Sequence, residues 1–322
     1  MKCKMAMLSS LDLMFKIILF PILLLGMIIP LVFGNKTINY IDVAPVVEKN
    51  KLRSTGSTSM SHIISVLADD FMSIYPNYIY EKSETGSGSA PFLVKSGDAD
   101  IGDMSRNLKE NEKFVGIVEK CIALDGIVLV LNDKNPIDNL SMQNLRDIFS
   151  KKVKDWSEIS DKYSGKIISI GREDASGTRE GFESGIDIDS PVYDIILSES
   201  GDISNKVSSE ERAIGYISMA SVSKNIHSVK IDGVECNFSN IKNKIYPLTR
   251  PFLQVYSEYD QFNPITKLLD NKILSSSDES SKSLLDECKK PDSETKIMKA
   301  WNDYLVSDRA KELIKKENLV YV

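Results

Sequence analysis

An α/β fold is the expectation for this chain, and three observations carry it. Short β-like runs alternate with amphipathic helical runs after a polar entry segment. Residues 126–132 (GIVLVLN) form a continuous apolar run, the pattern of a strand buried on both faces. Turns rich in hydroxyls and glycine recur where strand-like runs give way to helices.

The elements follow in order. Met60, Ile63, Ile64, Leu67 and Phe71 share one helix face. Tyr78-Ile79-Tyr80 and Ala99–Gly102 read as strands, and 126–132 as the buried one. Ser141 caps a helix carrying Leu145, Ile148 and Phe149. Residues 166–170 (KIISI) and 213–218 (AIGYIS) read as further strands. Residues 274–296, with seven serines among acids and lysines, read as a solvated loop or insertion. Amphipathic spacing resumes at Ile297, Trp301, Leu305 and Ala310, so the C-terminus is expected to fold.

The composition excludes several function classes. The 322 residues hold 40 Lys+Arg against 46 Asp+Glu, a net charge of −6. Such an acidic chain is a poor partner for a phosphate backbone. Two histidines and four cysteines without close-paired spacing argue against a metal centre, and no cofactor is expected. Residues 17–34 (IILFPILLLGMIIPLVFG) follow Lys2, Lys4 and Lys16, the pattern of an export signal. The run also approaches the length of a membrane span. Residues 1–34 are therefore a cleaved signal peptide or a retained anchor, and either outcome places the remainder outside the cytoplasm. Three cysteines follow this segment; Cys236–Cys288 is the one disulfide considered, against buried or free thiols.

The informative feature is a junction repeated three times. Gly56-Ser57-Thr58-Ser59 precedes the first helix, and Gly86-Ser87-Gly88-Ser89 precedes a second with Pro91 in its first turn. Ser176-Gly177-Thr178 precedes Arg179-Glu180-Gly181-Phe182. Helix starts expose unpaired N–H groups and the positive dipole end, a ready anion site. Taken singly, each is an ordinary N-cap. Together, at the ends of strands where ligands of open α/β sheets bind, they point to a shared site. Arg106 and Arg172 each follow a strand nearby. In an acidic chain an anion must be held by such local donors, which favours a small, enclosed oxyanion.

In combination these strings resemble a known family. GSTSM, GSGSA…GDADIGDMSR, the run from Ile122 to Asp133, IGREDASGTRE, AIGYIS and YPLTRPF are similar to the phosphate-binding proteins of phosphate ABC transporters. The resemblance covers most of residues 52–256 and, more faintly, 297–322. It implies a two-lobed α/β fold of the periplasmic-binding-protein type (type II), with phosphate in the cleft between the lobes. It also implies an extracytoplasmic, monomeric receptor that serves permease subunits and is not an enzyme. Lobe 1 would comprise 37–125 plus 219–322, with 274–296 as an insertion, and lobe 2 would comprise 126–218.

By the same resemblance Thr58, Ser59, Ser87, Ser176, Gly177, Thr178 and Arg172 contact phosphate, and Ser89 and Arg106 join them as candidates. Asp174 would partner Arg172. The better-known branch carries an aspartate at the position of Arg106, where it accepts a hydrogen bond from protonated phosphate. Guanidinium only donates, so that acceptor must come from elsewhere. Asp103 and Asp125 are the candidates, Asp125 being favoured for its place at the lobe crossing.

Three other readings remain open at this stage. Related lobes bind sulfate or molybdate. A retained anchor would suit a membrane-bound phosphate sensor. A serine hydrolase would need His62 as base for Ser59, yet no G-x-S-x-G elbow is present.

Overall fold

The computed structural model describes residues 50–260, 289–290 and 292–322. The expected leader, the start of lobe 1, residues 274–288 of the Ser-rich segment, Cys3 and Cys288 lie outside them.

The described residues build a mixed α/β fold around a nine-stranded sheet in the order β2-β1-β3-β11-β4-β8-β6-β7, with β9 also paired to β4. The first half holds β1 (Lys51–Gly56), α1 (Ser61–Ile74), β2 (Ile79–Glu84), α2 (Ala90–Ser96) and β3 (Ile101–Met104). Then comes β4 (Ile117–Asn132), a 16-residue strand that serves both halves. Its residues 117–126 pair with β11 (Thr249–Ser257), and residues 127–131 pair with β8 (Ala213–Ser218), both antiparallel. The second half adds β5 (Asn139–Leu140), α3 (Met142–Phe149), β6 (Ile168–Arg172), α4 (Gly177–Gly185), β7 (Ile195–Leu197) and α5 (Ser200–Ser209) before β8. After β8 come β9 (Ile226–Ser228), β10 (Lys230–Ile231) and α6 (Phe238–Lys242). The chain then returns through β11 and ends in α7 (Asp292–Leu305) and α8 (Asp308–Lys316).

Period-two alternation in β4 shows why its run is wholly apolar. Ile127, Leu129 and Leu131 enter a core with Leu145, Phe149, Phe182 and Tyr216. Val128 and Val130 face the opposite way, into a core with Ile170, Ile203, Val207 and Ile217. Both faces are covered, so no polar alternation survives. The helix face expected from Met60 to Phe71 is buried as a unit, against Leu52, Trp301 and Ile314. A smaller core on the other side of the first half joins Ala90 and Val94 of α2 to Met104, Leu253 and Val255.

The structure differs from the sequence reading at three places. Residues 226–248, expected with the first lobe, pack with the second half: Val229, Ile231, Ile241, Tyr246 and Leu248 share the core of Ile127 and Phe149. The chain therefore rejoins the first half at β11, because β9 adds to β4 before the chain turns back. The C-terminal helical run is two helices, interrupted where the Ser307 side chain caps α8 by accepting from Ala310 N. The Ser-rich segment was expected to remain a loop to 296, yet α7 begins at Asp292.

A buried network ties β3 to β11 and α7. Gln254 Nε2 donates to Asp103 Oδ1 at 2.8 Å, and Trp301 Nε1 donates to Gln254 Oε1 at 2.8 Å. Burial pushes the Asp103 carboxyl up to about 6, with the Gln254 hydrogen bond pulling the other way. The native state thus favours protonated Asp103. That stabilisation is complete below about pH 4, the ordinary aspartate value, and is lost as the pH rises through about 6. Asp103→Asn is expected to raise the melting temperature at pH 7.5, by up to about 3 kcal/mol of stability, and to have little effect at pH 4. A variant that melts at the wild-type temperature or below it at pH 7.5 would contradict this reading of Asp103.

Candidate functional site

The three hydroxyl-rich turns do converge. Gly56, at φ +140°, ends β1 where an added Cβ would strike the Asp103 carbonyl, so the turn after it lies tight against β3. Ser57 N donates to Asp103 O at 2.8 Å, and Ser57 Oγ donates to Ser105 Oγ at 2.9 Å. From this turn Thr58 and Ser59 reach the second half of the molecule. Arg172 Nη2 donates to Thr58 Oγ1 at 3.0 Å, and Ser59 Oγ lies 2.6 Å from Thr178 Oγ1.

The second and third turns touch through backbone. Gly88 N donates to Ala175 O at 3.0 Å. A Cβ on Gly177 would meet Ser87 Oγ at 2.5 Å and Ser105 Oγ at 2.6 Å, so only glycine permits this approach. Ser87 is buried, and its Oγ accepts from Ser105 N at 3.1 Å. The Ser176 side chain caps α4 by accepting from Arg179 N, which leaves Gly177 and Thr178 as the first buried residues of that helix.

Arg172 sits at the end of β6 and is 1% exposed. Its guanidinium donates to Ser200 Oγ, Ser198 O and Thr58 Oγ1, and both Nε and Nη2 bond Glu173. Its backbone N–H donates to Tyr216 Oη at 3.2 Å. Burial pushes the Tyr216 phenol up to about 12, so it stays neutral in that role.

A second arginine completes the cluster. Arg250 of β11 is buried, and its Nη1 donates to Thr178 Oγ1 at 2.8 Å. Its Nε bonds Asp125 Oδ2 at 2.9 Å. Nη2 also lies 2.9 Å from that oxygen, but as an ion contact only: Nη2 is buried with no hydrogen-bond partner. Burial lowers the Arg250 pKa, Asp125 opposing. Burial likewise raises that of Asp125, with Arg250 and Ser218 opposing.

Several candidates are placed otherwise than the sequence suggested. Asp174 does not orient Arg172; it is exposed and pairs with Arg179, while Glu173 holds Arg172. Arg106 forks onto Glu112 at 2.7 and 2.6 Å and meets Glu180 through Nε at 2.9 Å. Ser89 Oγ donates back to Thr85 O and Gly86 O. Asp125 uses one carboxylate oxygen on Arg250 and the other on Ser218 Oγ, and Asp103 turns into the first-half core. His62 Nε2 lies 2.8 Å from Glu317, while Ser59 Oγ bonds Thr178 and Ser200, so the two do not form a nucleophile–base pair.

Arg250 and Ser200 were missed. YPLTRPF carried the first in plain sight, and Ser200 is a further serine at a helix start, in the first turn of α5. Cys236 is a free thiol whose Sγ lies 3.4 Å from Met219 Sδ, and the Cys236–Cys288 pairing considered from the sequence falls on a residue outside the described ones. Among the described residues no group of His, Cys, Asp and Glu could hold a metal ion. No described helix is long and apolar enough to cross a membrane.

Comparison with known proteins gives a consistent result. Residues 43–309 match the model of the PBP superfamily domain. The chain is 27% identical over 201 residues to the phosphate-binding protein PstS of Bacillus subtilis strain 168, covering 61% of this chain and 67% of that protein. It is 28% identical over 244 residues to PstS of Pseudomonas aeruginosa PAO1, covering 67% and 75%. Among solved structures, one from Clostridium perfringens is described as a putative phosphate ABC transporter substrate-binding protein with bound phosphate. It matches with TM-score 0.69 and 30% identity over 85% of this chain and 100% of that one. An ABC-type phosphate transport receptor from Vibrio cholerae matches with TM-score 0.61 and 25% identity over 84% and 100%. With a two-lobed sheet shared through β4 and β11, and a family match over most of its length, the chain belongs to the PBP superfamily.

Proposed function

We propose that this chain binds inorganic phosphate outside the cytoplasm and delivers it, as a monomer, to the permease of an ABC transporter. The observation that carries this reading is the hydrogen inventory between Arg172 and Arg250. The hydroxyls of Thr178, Ser59 and Ser200 run in a line from one guanidinium to the other. Both ends of the line are donor-only groups. Two of the three hydroxyl hydrogens serve the links within the line, and the third has no acceptor there. Arg250 Nη2, in ion contact with Asp125 but without a hydrogen-bond partner, adds further hydrogens. Buried donors in excess call for a ligand that is nearly all acceptor, because an unmet buried donor costs about 1–3 kcal/mol. A small tetrahedral oxyanion fits that demand, and the names of the relatives support phosphate as the oxyanion.

The placement of His62 away from Ser59 supports a binder over a hydrolase. The apolar run at 17–34 supports export. Among the described residues we place 50–125 and those from 249 onward in one lobe and 126–248 in the other, with the crossing where β4 passes from β11 to β8.

Calorimetric titration with phosphate, sulfate and arsenate tests the proposal. Saturable one-to-one phosphate binding is expected, and binding of sulfate in preference to phosphate would overturn it. Ser59→Ala and Thr178→Ala should each weaken phosphate binding by roughly tenfold, as one hydrogen bond to a charged ligand is lost. Affinities within twofold of wild type in both variants would remove the hydroxyl line from the site.

A further inference from the structure

Arg106 follows the site turn at Ser105, yet its charge is spent elsewhere. Glu112, itself buried, takes its fork through two hydrogen bonds. The remaining Nε meets Glu180 Oε2 at 2.9 Å, and Lys109 Nζ reaches the same oxygen at 2.8 Å. Arg106, Lys109 and Glu112 lie on the segment after β3, whose Met104, Leu108 and Phe114 pack in a first-half core. Glu180 lies on α4, whose Phe182 packs in a second-half core. The cluster therefore bridges the two halves of the molecule at the edge of the cleft. It is neutral as it stands, with two cations and two anions.

We propose that Glu180 is a latch residue: it holds the cleft closed over the ligand by docking onto Arg106 and Lys109. This rests on the phosphate reading and assigns Arg106 to closure instead of ligand contact. Glu112 keeps Arg106 in place when the halves part, so the receiving side is preformed. Glu180 stands two residues beyond Thr178 in the first turn of α4. Unpaired, its charge would repel an anion at that helix start; docked, it is neutralised by the two cations. Closure and ligand retention are thereby coupled through one carboxylate. Ion pairs of this kind act chiefly on dissociation, and association is set by the open cleft.

Glu180→Gln, made in the full chain, separates the possibilities. Phosphate release, followed by chasing radiolabelled phosphate with excess unlabelled phosphate, is expected to accelerate roughly tenfold with little change in association. Wild-type release should also quicken as salt rises, and the variant should lose that dependence. Release that is unchanged, or slower because a repelling charge has gone, would overturn the latch.

A second readout needs no ligand. Amide hydrogen exchange in segments 105–112 and 176–183 should rise together in Glu180→Gln without added phosphate, and unchanged exchange in both would equally overturn it. Failure of wild-type protein to bind phosphate would refute the parent reading, and the exchange comparison would still decide the latch. A double substitution distinguishes latch from ligand contact at Arg106. Arg106→Gln should cost little further affinity in the Glu180→Gln background. A full loss of binding there would show that Arg106 touches the anion directly.

Discussion

Arg172→Ala is expected to abolish phosphate binding in practice, with a loss of at least roughly a hundredfold. The side chain brings a full positive charge and a planar fork of donors to a site with no solvent to replace them. Each hydrogen bond to a charged group is worth about 1.5–3 kcal/mol, and the fork can place two on one anion. The loss should exceed that of any single hydroxyl. Arg172→Lys should recover little, since an ammonium cannot reproduce contacts to Thr58, Ser200 and Glu173 from one point. Titration calorimetry of both variants measures this directly. An affinity within twofold of wild type in Arg172→Ala would refute the assignment.

The second large effect is expected at Arg250, where stability and binding can be pulled apart. Arg250→Met leaves Asp125 buried without its cation, a defect worth about 3–5 kcal/mol when one partner of a buried pair is removed. The melting temperature should fall, and phosphate binding should be lost with it. Replacing both partners, as in Arg250→Met with Asp125→Leu, removes the stranded charge, and such double replacements are often neutral for stability. The double variant is therefore expected to regain most of the melting temperature while still failing to bind phosphate. Recovery of affinity together with stability would make Arg250 a purely structural cation and would leave Arg172 as the sole charge at the anion site.

The contrast between the two arginines shows what a sequence makes visible. Arg172 stands within six residues of Thr178, and the strand–turn–helix pattern around them announces a helix start aimed at a ligand. Arg250 and Asp125 are far apart in the chain and meet only because β11 runs antiparallel to β4 in register at that pair. No local pattern encodes such a register. Arg106 shows the opposite case. Its position beside the site turn suggested ligand contact, but Glu112 and Glu180 occupy its guanidinium, the second from a helix that packs in the other half. Asp174 fails for a local reason: beyond the end of β6 the chain turns so that Glu173 folds back onto Arg172, while Asp174 points outward to Arg179.

The fold was more legible than the site. The faces of α1 and α3 and the strand 213–218 follow from apolar periodicity and capping, which are short-range properties. The point of return to the first half did not follow, because strand β9 has only three residues and carries no period to read. Selectivity shifts for a similar reason. Asp125 was attractive as an acceptor for protonated phosphate while it stood alone in the sequence; in the fold its two oxygens serve Arg250 and Ser218. The hydroxyl line offers another acceptor for the phosphate proton, since its oxygens can accept as well as donate.

The most direct test of the account is the location of the anion itself. Crystals of the protein grown with arsenate allow the arsenic to be placed by its anomalous scattering, independently of any assumption about the cleft. The account predicts one strong peak whose surrounding oxygens lie within hydrogen-bonding distance of Arg172, Arg250, Thr178 and Ser59, with Arg106 still docked on Glu112 and Glu180. A peak at Arg106 with its ion pairs broken, or one outside the cleft altogether, would contradict it.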